Sequence, residues 1–213
     1  MEKPLSNVMN IERTLYEKSY EHDACGVGFV ADIEGKRSNK ILQKGLEAVI
    51  NLTHRGAVGG DKKTGDGAGV LTQLPFELFD EFLSKEDIDQ ITIGNFGVGM
   101  YFLPRKENLT HKKSLNVIEK ILKEKDIKLI ASREVPVNDF ALGERALESK
   151  PDIFQFFVKD VNFTNQNDFE RKLYSLRKTI ASQSEKNKLD EVYCCSFSSK
   201  SIIYKGKIGR AHV

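Results

Sequence analysis

The stretch EHDACGVGFVAD runs from Glu21 to Asp32. Its fifth residue is a cysteine, Cys25, with Gly26, Val27 and Gly28 behind it and a polar segment of more than twenty residues ahead of it. Val27, Phe29 and Ala31 alternate with their neighbours, so the pattern predicts a strand over Gly26–Ile33, ended by a turn at Glu34-Gly35. A thiol therefore stands where a leader ends and a strand begins. A lone cysteine at a strand start is in most proteins a small buried hydrophobe. A second chemistry becomes available if the peptide bond before Cys25 is cut. The thiol and its own α-amine then sit on adjacent carbons. An α-amine titrates near ~7.7–8.0 and can serve as general base toward the thiol. That arrangement is an N-terminal nucleophile, suited to acyl transfer from an amide through a thioester with release of ammonia.

The rest of the chain suits one domain. It has 213 residues, 39% hydrophobic and 30% charged, with a formal net charge of +2. That balance gives no global field toward nucleic acid or an anionic membrane. No apolar run approaches the ~20 residues of a spanning helix. The N-terminus has no apolar core of a secretory signal and carries acidic residues. Three cysteines, Cys25, Cys194 and Cys195, make no disulfide framework, and a cytosolic chain with reduced thiols is expected. His22, His54, His111 and His212 make no zinc pattern with them, so no metal is expected. If Cys194 and Cys195 lie on a strand, they face opposite sides.

Ser38 predicts the cap of a helix to about Leu52, with Ile41, Leu42, Leu46, Val49 and Ile50 on one stripe. An elaborate glycine-rich loop follows through Gly67, and a strand resumes at Val70–Leu74. Pro75 opens a short helix. Further strands are expected at Asn95–Leu103, Lys128–Glu134 and Ile153–Lys159, with helices at Ser114–Lys125 and Asp168–Ser182. Glu191–Phe197 and Ser201–Tyr204 read as a hairpin. This mixture predicts a layered α+β or α/β sandwich rather than a strict parallel array.

Two further motifs carry chemistry. In His54-Arg55-Gly56-Ala57 the Arg55 guanidinium is a planar fork suited to a carboxylate or to backbone carbonyls. In Thr64-Gly65-Asp66-Gly67-Ala68-Gly69 the glycines permit close backbone approach, and Asp66 can pin neighbouring amides. The second motif is not a phosphate loop, because it lacks the Gly-Lys-Ser/Thr ending and leads into a strand.

DACGVGF at Asp23–Phe29, HRGA at His54–Ala57 and TGDGAG at Thr64–Gly69 together resemble the amino-terminal glutaminase domain of glutamate synthase large subunits, a class II glutamine amidotransferase. PDIFQFFV and YCCSFSSKSIIYKGK resemble later parts of the same family, and the likeness covers residues 20–207. The resemblance implies an N-terminal nucleophile hydrolase fold, a four-layer αββα sandwich, incomplete here. It implies a propeptide over residues 1–24, a partial amidotransferase domain over 25–207, and Cys25 as nucleophile toward L-glutamine. Arg55 and Gly56 would shape the substrate pocket, with His54, Asp66 and Gly67 in its supporting loop. The family's glutamine clamp and oxyanion hole lie beyond the end of this chain, so the chain alone is expected to be inactive.

In the family the ammonia passes to downstream synthase domains of the same chain, which hold FMN and an iron–sulfur cluster and convert 2-oxoglutarate to glutamate. No cofactor is expected within these 213 residues. A ferredoxin or a small electron-transfer subunit is an implied partner, and the electron donor stays open. Residues 208–213, IGRAHV, match the hexapeptide encoded by one frame of a common sequencing adapter and are read as a non-native tail. Two other readings stay open: a different class II amidotransferase, and a non-catalytic domain that retains the fold.

Overall fold

The computed structural model describes residues 26–52 and 64–209. The first of these do not form the expected strand. Gly26–Ile33 has no regular structure, and Val27 and Phe29 are 91% and 93% exposed. The alternation is real, but a strand also needs a neighbour for its N–H and C=O groups. Neither described sheet extends to this segment. The turn after it does form. The Asp32 carboxylate accepts the backbone N–H groups of Glu34 and Lys36 at 2.9 and 3.1 Å, and Gly35 takes φ +71°.

Helix α1, Asn39–Asn51, starts as expected, with the Ser38 hydroxyl accepting the Ile41 N–H. Its apolar stripe is only half covered, and no residue of the helix is fully buried.

Strand β1, Thr64–Gln73, starts six residues before the expected Val70 and takes in the whole glycine-rich stretch. It pairs antiparallel with β6, Ser201–Gly209, in a two-stranded ribbon. Gly67 stands opposite Lys207, Gly69 opposite Lys205 and Val70 opposite Tyr204. Glycine is ordinarily disfavoured in strands, but close approach requires one here. A Cβ at position 69 would lie 2.7 Å from Lys205 Cβ and 2.9 Å from the Tyr204 carbonyl oxygen. Gly69→Val should therefore cost about 1–3 kcal/mol in denaturant unfolding. Gly206→Ala, with nothing within 4 Å of the added carbon, should change stability by about 0.5 kcal/mol or less.

After Pro75 come two short helices, α2 (Phe76–Phe79) and α3 (Lys85–Ile88). The remaining elements are β2 (Gly97–Leu103), α4 (Leu109–Glu124), β3 (Ile127–Glu134), α5 (Glu144–Glu148), β4 (Asp152–Asp160), α6 (Gln166–Lys186) and β5 (Tyr193–Ser198). The four strands form one antiparallel sheet in the order β3-β4-β2-β5. Strands β2 and β3 run the same way with α4 crossing between them. Strands β4 and β5 do likewise through α6, giving two interleaved β-α-β crossovers.

Both faces of this sheet are covered. On one, Ile118, Ile121 and Leu122 of α4 and Phe169, Leu173, Leu176 and Ile180 of α6 pack on Tyr101, Leu103, Phe156 and Val158. On the other, Val98, Met100, Phe157 and Cys195 meet Phe79 of α2, Ile202 of β6, and Leu74 and Phe96 from the connections just before α2 and β2. Double coverage explains why β2 and β4 read as nearly continuous apolar runs. The architecture is α+β with antiparallel sheets.

The expected hairpin is not one. Strands β5 and β6 belong to different sheets, and the chain turns a corner between them. On β5, Ser196 stands opposite Met100 and Cys194 opposite Tyr101, so Cys195 is the extra residue of a bulge, which bends the strand. The corner is fastened from α6. The Glu170 carboxylate accepts the Ser198 hydroxyl at 3.1 Å and the Ser199 N–H, while Ser198 Oγ accepts the N–H groups of Lys200 and Ser201. Among the described residues, no helix is long and apolar enough to cross a membrane.

Candidate active site

Cys25, His54, Arg55 and Gly56 lie outside the described residues. Asp66 and Gly67, the other two positions singled out from sequence, are neighbours on β1. The structure does show where the two motif-bearing segments start. Gly26, bonded to Cys25, lies against Leu52, the residue that ends α1. A Cβ at position 26 would meet Leu52 Cδ2 at 2.8 Å. Gly28 approaches the Ala48 Cβ to 4.0 Å from its own Cβ position. The extended segment behind Cys25 thus runs along the C-terminal half of α1. The His54-Arg55-Gly56 motif begins two residues after Leu52. A larger residue at 26 would require the Leu52 side chain to shift.

The other two thiols are unsuited to nucleophilic work. Cys194 is buried, and its Sγ donates to the Ser196 carbonyl at 3.5 Å. Burial pushes its thiol up to about 11. The Cys195 thiol is also raised by burial, and its Sγ donates to the Ile203 carbonyl at 3.5 Å. At neutral pH both are protonated and shielded, and the thiolate is the reactive form. They face separate cores, as their adjacency on a strand predicts. They are therefore free thiols that can share neither a disulfide nor one iron–sulfur cluster.

His111 is a structural pin. Its Nδ1 lies 2.5 Å from the Pro104 carbonyl oxygen and 3.7 Å from the Asp152 carboxylate, at the start of α4. No group of three or more His, Cys, Asp or Glu side chains among the described residues could hold a metal ion.

One cavity of about 300 Å³ opens beside the ribbon. Leu46 and Val49 of α1, Val70 of β1, Met100, Ile153 and Tyr204 are among its walls. Sequence reasoning gave no sign of it, because its lining comes from five elements brought together only by the fold.

Comparison with known proteins adds the following. The family model for class-II glutamine amidotransferases matches residues 25–213. The chain is 36% identical over 208 residues to a chloroplastic ferredoxin-dependent glutamate synthase of Oryza sativa subsp. japonica, covering 97% of this chain and 13% of that protein. It is 37% identical over 224 residues to the NADH glutamate synthase of Saccharomyces cerevisiae, covering 100% and 10% respectively. It is 36% identical over 191 residues to the large chain of the NADPH glutamate synthase of Azospirillum brasilense, covering 90% and 12%. The chain thus spans 10–13% of the length of these relatives. Among solved structures, the C-terminal domain of MgtC from Mycobacterium tuberculosis aligns with 55% of this chain and 94% of its own, at 15% identity and a TM-score of 0.32. A likeness that weak carries no argument about fold or function.

Proposed function

Because the chain belongs to the class-II glutamine amidotransferases, we propose that it is the glutaminase portion of a glutamate synthase, working through Cys25 as an N-terminal nucleophile. The observation that carries this reading is that the family match begins at Cys25, while the two remaining thiols are buried with raised pKa values.

The chemistry follows from the residues. Removal of Met1–Ala24 frees the Cys25 α-amine, which takes the thiol proton. The thiolate attacks the side-chain amide carbon of glutamine, and the nitrogen leaves as ammonia with the proton the amine held. Water then attacks the thioester with the same amine as base, releasing glutamate and restoring the thiol. The sum is glutamine plus water to glutamate plus ammonia. Arg55 and Gly56 shape the pocket for glutamine. His54 supports that pocket from the loop before β1, and Asp66 and Gly67 support it from β1 itself, where the expected loop is strand. The domain completes a four-layer αββα sandwich in the longer protein.

In that longer protein the ammonia is added to 2-oxoglutarate at downstream synthase domains carrying FMN and an iron–sulfur cluster. No step above runs through either group. The two described cysteines face separate cores and could not both be ligands of one cluster. The electron donor is ferredoxin or a nicotinamide nucleotide, since the names of the relatives include both.

The test is to treat the full-length protein with a glutamine analogue bearing an electrophilic, thiol-alkylating carbon at the amide position, then map the adduct. A single adduct on Cys25, as the N-terminal residue, is expected. An adduct on Cys194 or Cys195, or none on a protein that turns over glutamine, overturns the proposal.

A further inference from the structure

Cleavage before Cys25 leaves the nucleophile held on one side only, through its peptide bond to Gly26. Chain termini fray unless something ties them down. Catalysis needs the reverse, because a reacting group misplaced by ~1 Å can lose ~10²-fold in rate. Something must therefore hold Gly26.

The segment supplies little hold of its own. Among the described residues, Gly26–Ala31 make neither a sheet pairing nor a backbone hydrogen bond. Val27 and Phe29 stand in solvent and anchor nothing. The hold comes from α1. Leu52 Cδ2, Cδ1 and Cγ lie 2.8, 3.1 and 3.3 Å from the position a Cβ would take on Gly26, so the isobutyl group rests against the Gly26 backbone. Ala48, one helical turn earlier, touches the same segment at Gly28.

Leu52 is itself fixed. It closes α1, and its N–H donates to the Val49 carbonyl at 3.2 Å. Its side chain is half-buried, and α1 packs against β1, the strand that carries Asp66 and Gly67. In the other direction the chain reaches Arg55 in three residues, a span of at most ~11 Å. Leu52 thus stands between the tether of Cys25 and the motif that bears Arg55.

We infer that Leu52 is a positioning residue for the amidotransferase reaction: its side chain, pressed on Gly26 from the end of α1, sets where Cys25 stands relative to the His54-Arg55-Gly56 motif. It acts through Gly26, and the inference rests on the reading of Cys25 as the N-terminal nucleophile.

The test uses the full-length protein. It reads steady-state ammonia release from glutamine and the saturating rate at which the electrophilic glutamine analogue alkylates Cys25. Leu52→Val removes the Cδ carbons that reach Gly26 and keeps a branched apolar side chain, while Leu52→Met restores the reach. Leu46→Ala is the control, a truncation on the same helix at a residue that does not touch Gly26. Leu52→Val should lower kcat and the alkylation rate about tenfold or more, with KM within about twofold of the parent. Leu52→Met should keep at least about half of the parental kcat, since the swap conserves volume. Leu46→Ala should keep kcat per folded molecule even where its unfolding midpoint falls. Parental kcat and alkylation rate in Leu52→Val, a loss confined to KM, no recovery in Leu52→Met, or an equal loss of kcat in Leu46→Ala each overturns the inference. A parent protein that turns over glutamine without an adduct on Cys25 defeats the catalytic reading, and this inference with it.

Discussion

Cys25→Ser in the full-length protein is expected to abolish ammonia release from glutamine, a loss of about 10⁴-fold or more, on the scale seen when a catalytic nucleophile is removed. The change is nearly isosteric, so the effect is chemical. An α-amine near ~7.7–8.0 can ionise an adjacent thiol, but an alcohol is far less acidic and stays protonated beside the same base. Synthesis of glutamate from added ammonia should persist, because on the proposed scheme it needs only the downstream domains. Cys194→Ala serves as the contrast. That thiol is pushed up to about 11 and buried, so turnover per folded molecule should be retained even where stability falls. Glutamine-dependent activity surviving in Cys25→Ser would remove Cys25 from the mechanism.

Phe157→Ala should be the most damaging substitution in the described core. Phe157 is fully buried in the middle of β4, with ring centroids 5.1 Å from Phe79 and 6.0 Å from Phe96. Truncation leaves a cavity in the layer that joins the sheet to α2 and the ribbon. Phe→Ala changes at such sites cost about 3–5 kcal/mol, a large share of the ~5–15 kcal/mol that stabilises a typical domain. Denaturant unfolding should show the midpoint fall steeply or the folded baseline vanish. Phe140→Ala is the control: Phe140 is 98% exposed, and its loss should change stability by about 0.5 kcal/mol or less. Similar costs at the two positions would contradict the assignment of the core.

These two residues mark the two kinds of signal present in the sequence. The core was legible where pattern alone decides. The apolar runs around Val98–Leu103 and Phe154–Val158 read directly as strands because the sheet is buried on both faces, and the Ser38 cap marked the start of α1. Helix α4 starts five residues before the expected Ser114 and ends within one residue of the expected Lys125, while α6 extends past Asp168–Ser182 at both ends, where its turns carry few apolar residues. Three features depended on distant partners and were read wrongly. Gly26–Ile33 has a strand's alternation but no described neighbour. The Gly65–Gly69 stretch looks like loop because of its glycines, yet it is strand, and the reason at Gly69 is the closeness of Tyr204 and Lys205 some 135 residues on in the chain. The Ser198-Ser199-Lys200 turn suits a hairpin and a corner equally; the Cys195 bulge and the Glu170 clamp choose the corner.

The candidate site divides in the same way. Its motifs are contiguous words around Cys25, Arg55 and Asp66, which is why sequence found them. The cavity beside the ribbon is assembled from α1 and from strands of both sheets, and no local spacing announces it. The contact of Gly26 with Leu52 is likewise a product of folding.

The central claim is that Cys25 works as an N-terminal residue. The most direct measurement is the intact mass and N-terminal sequence of the active full-length protein purified from its own cells. The account predicts a chain that begins at Cys25, lighter by Met1–Ala24. A fully active protein that still carries Met1–Ala24 would contradict it, because the amine that serves as base would then be locked in a peptide bond.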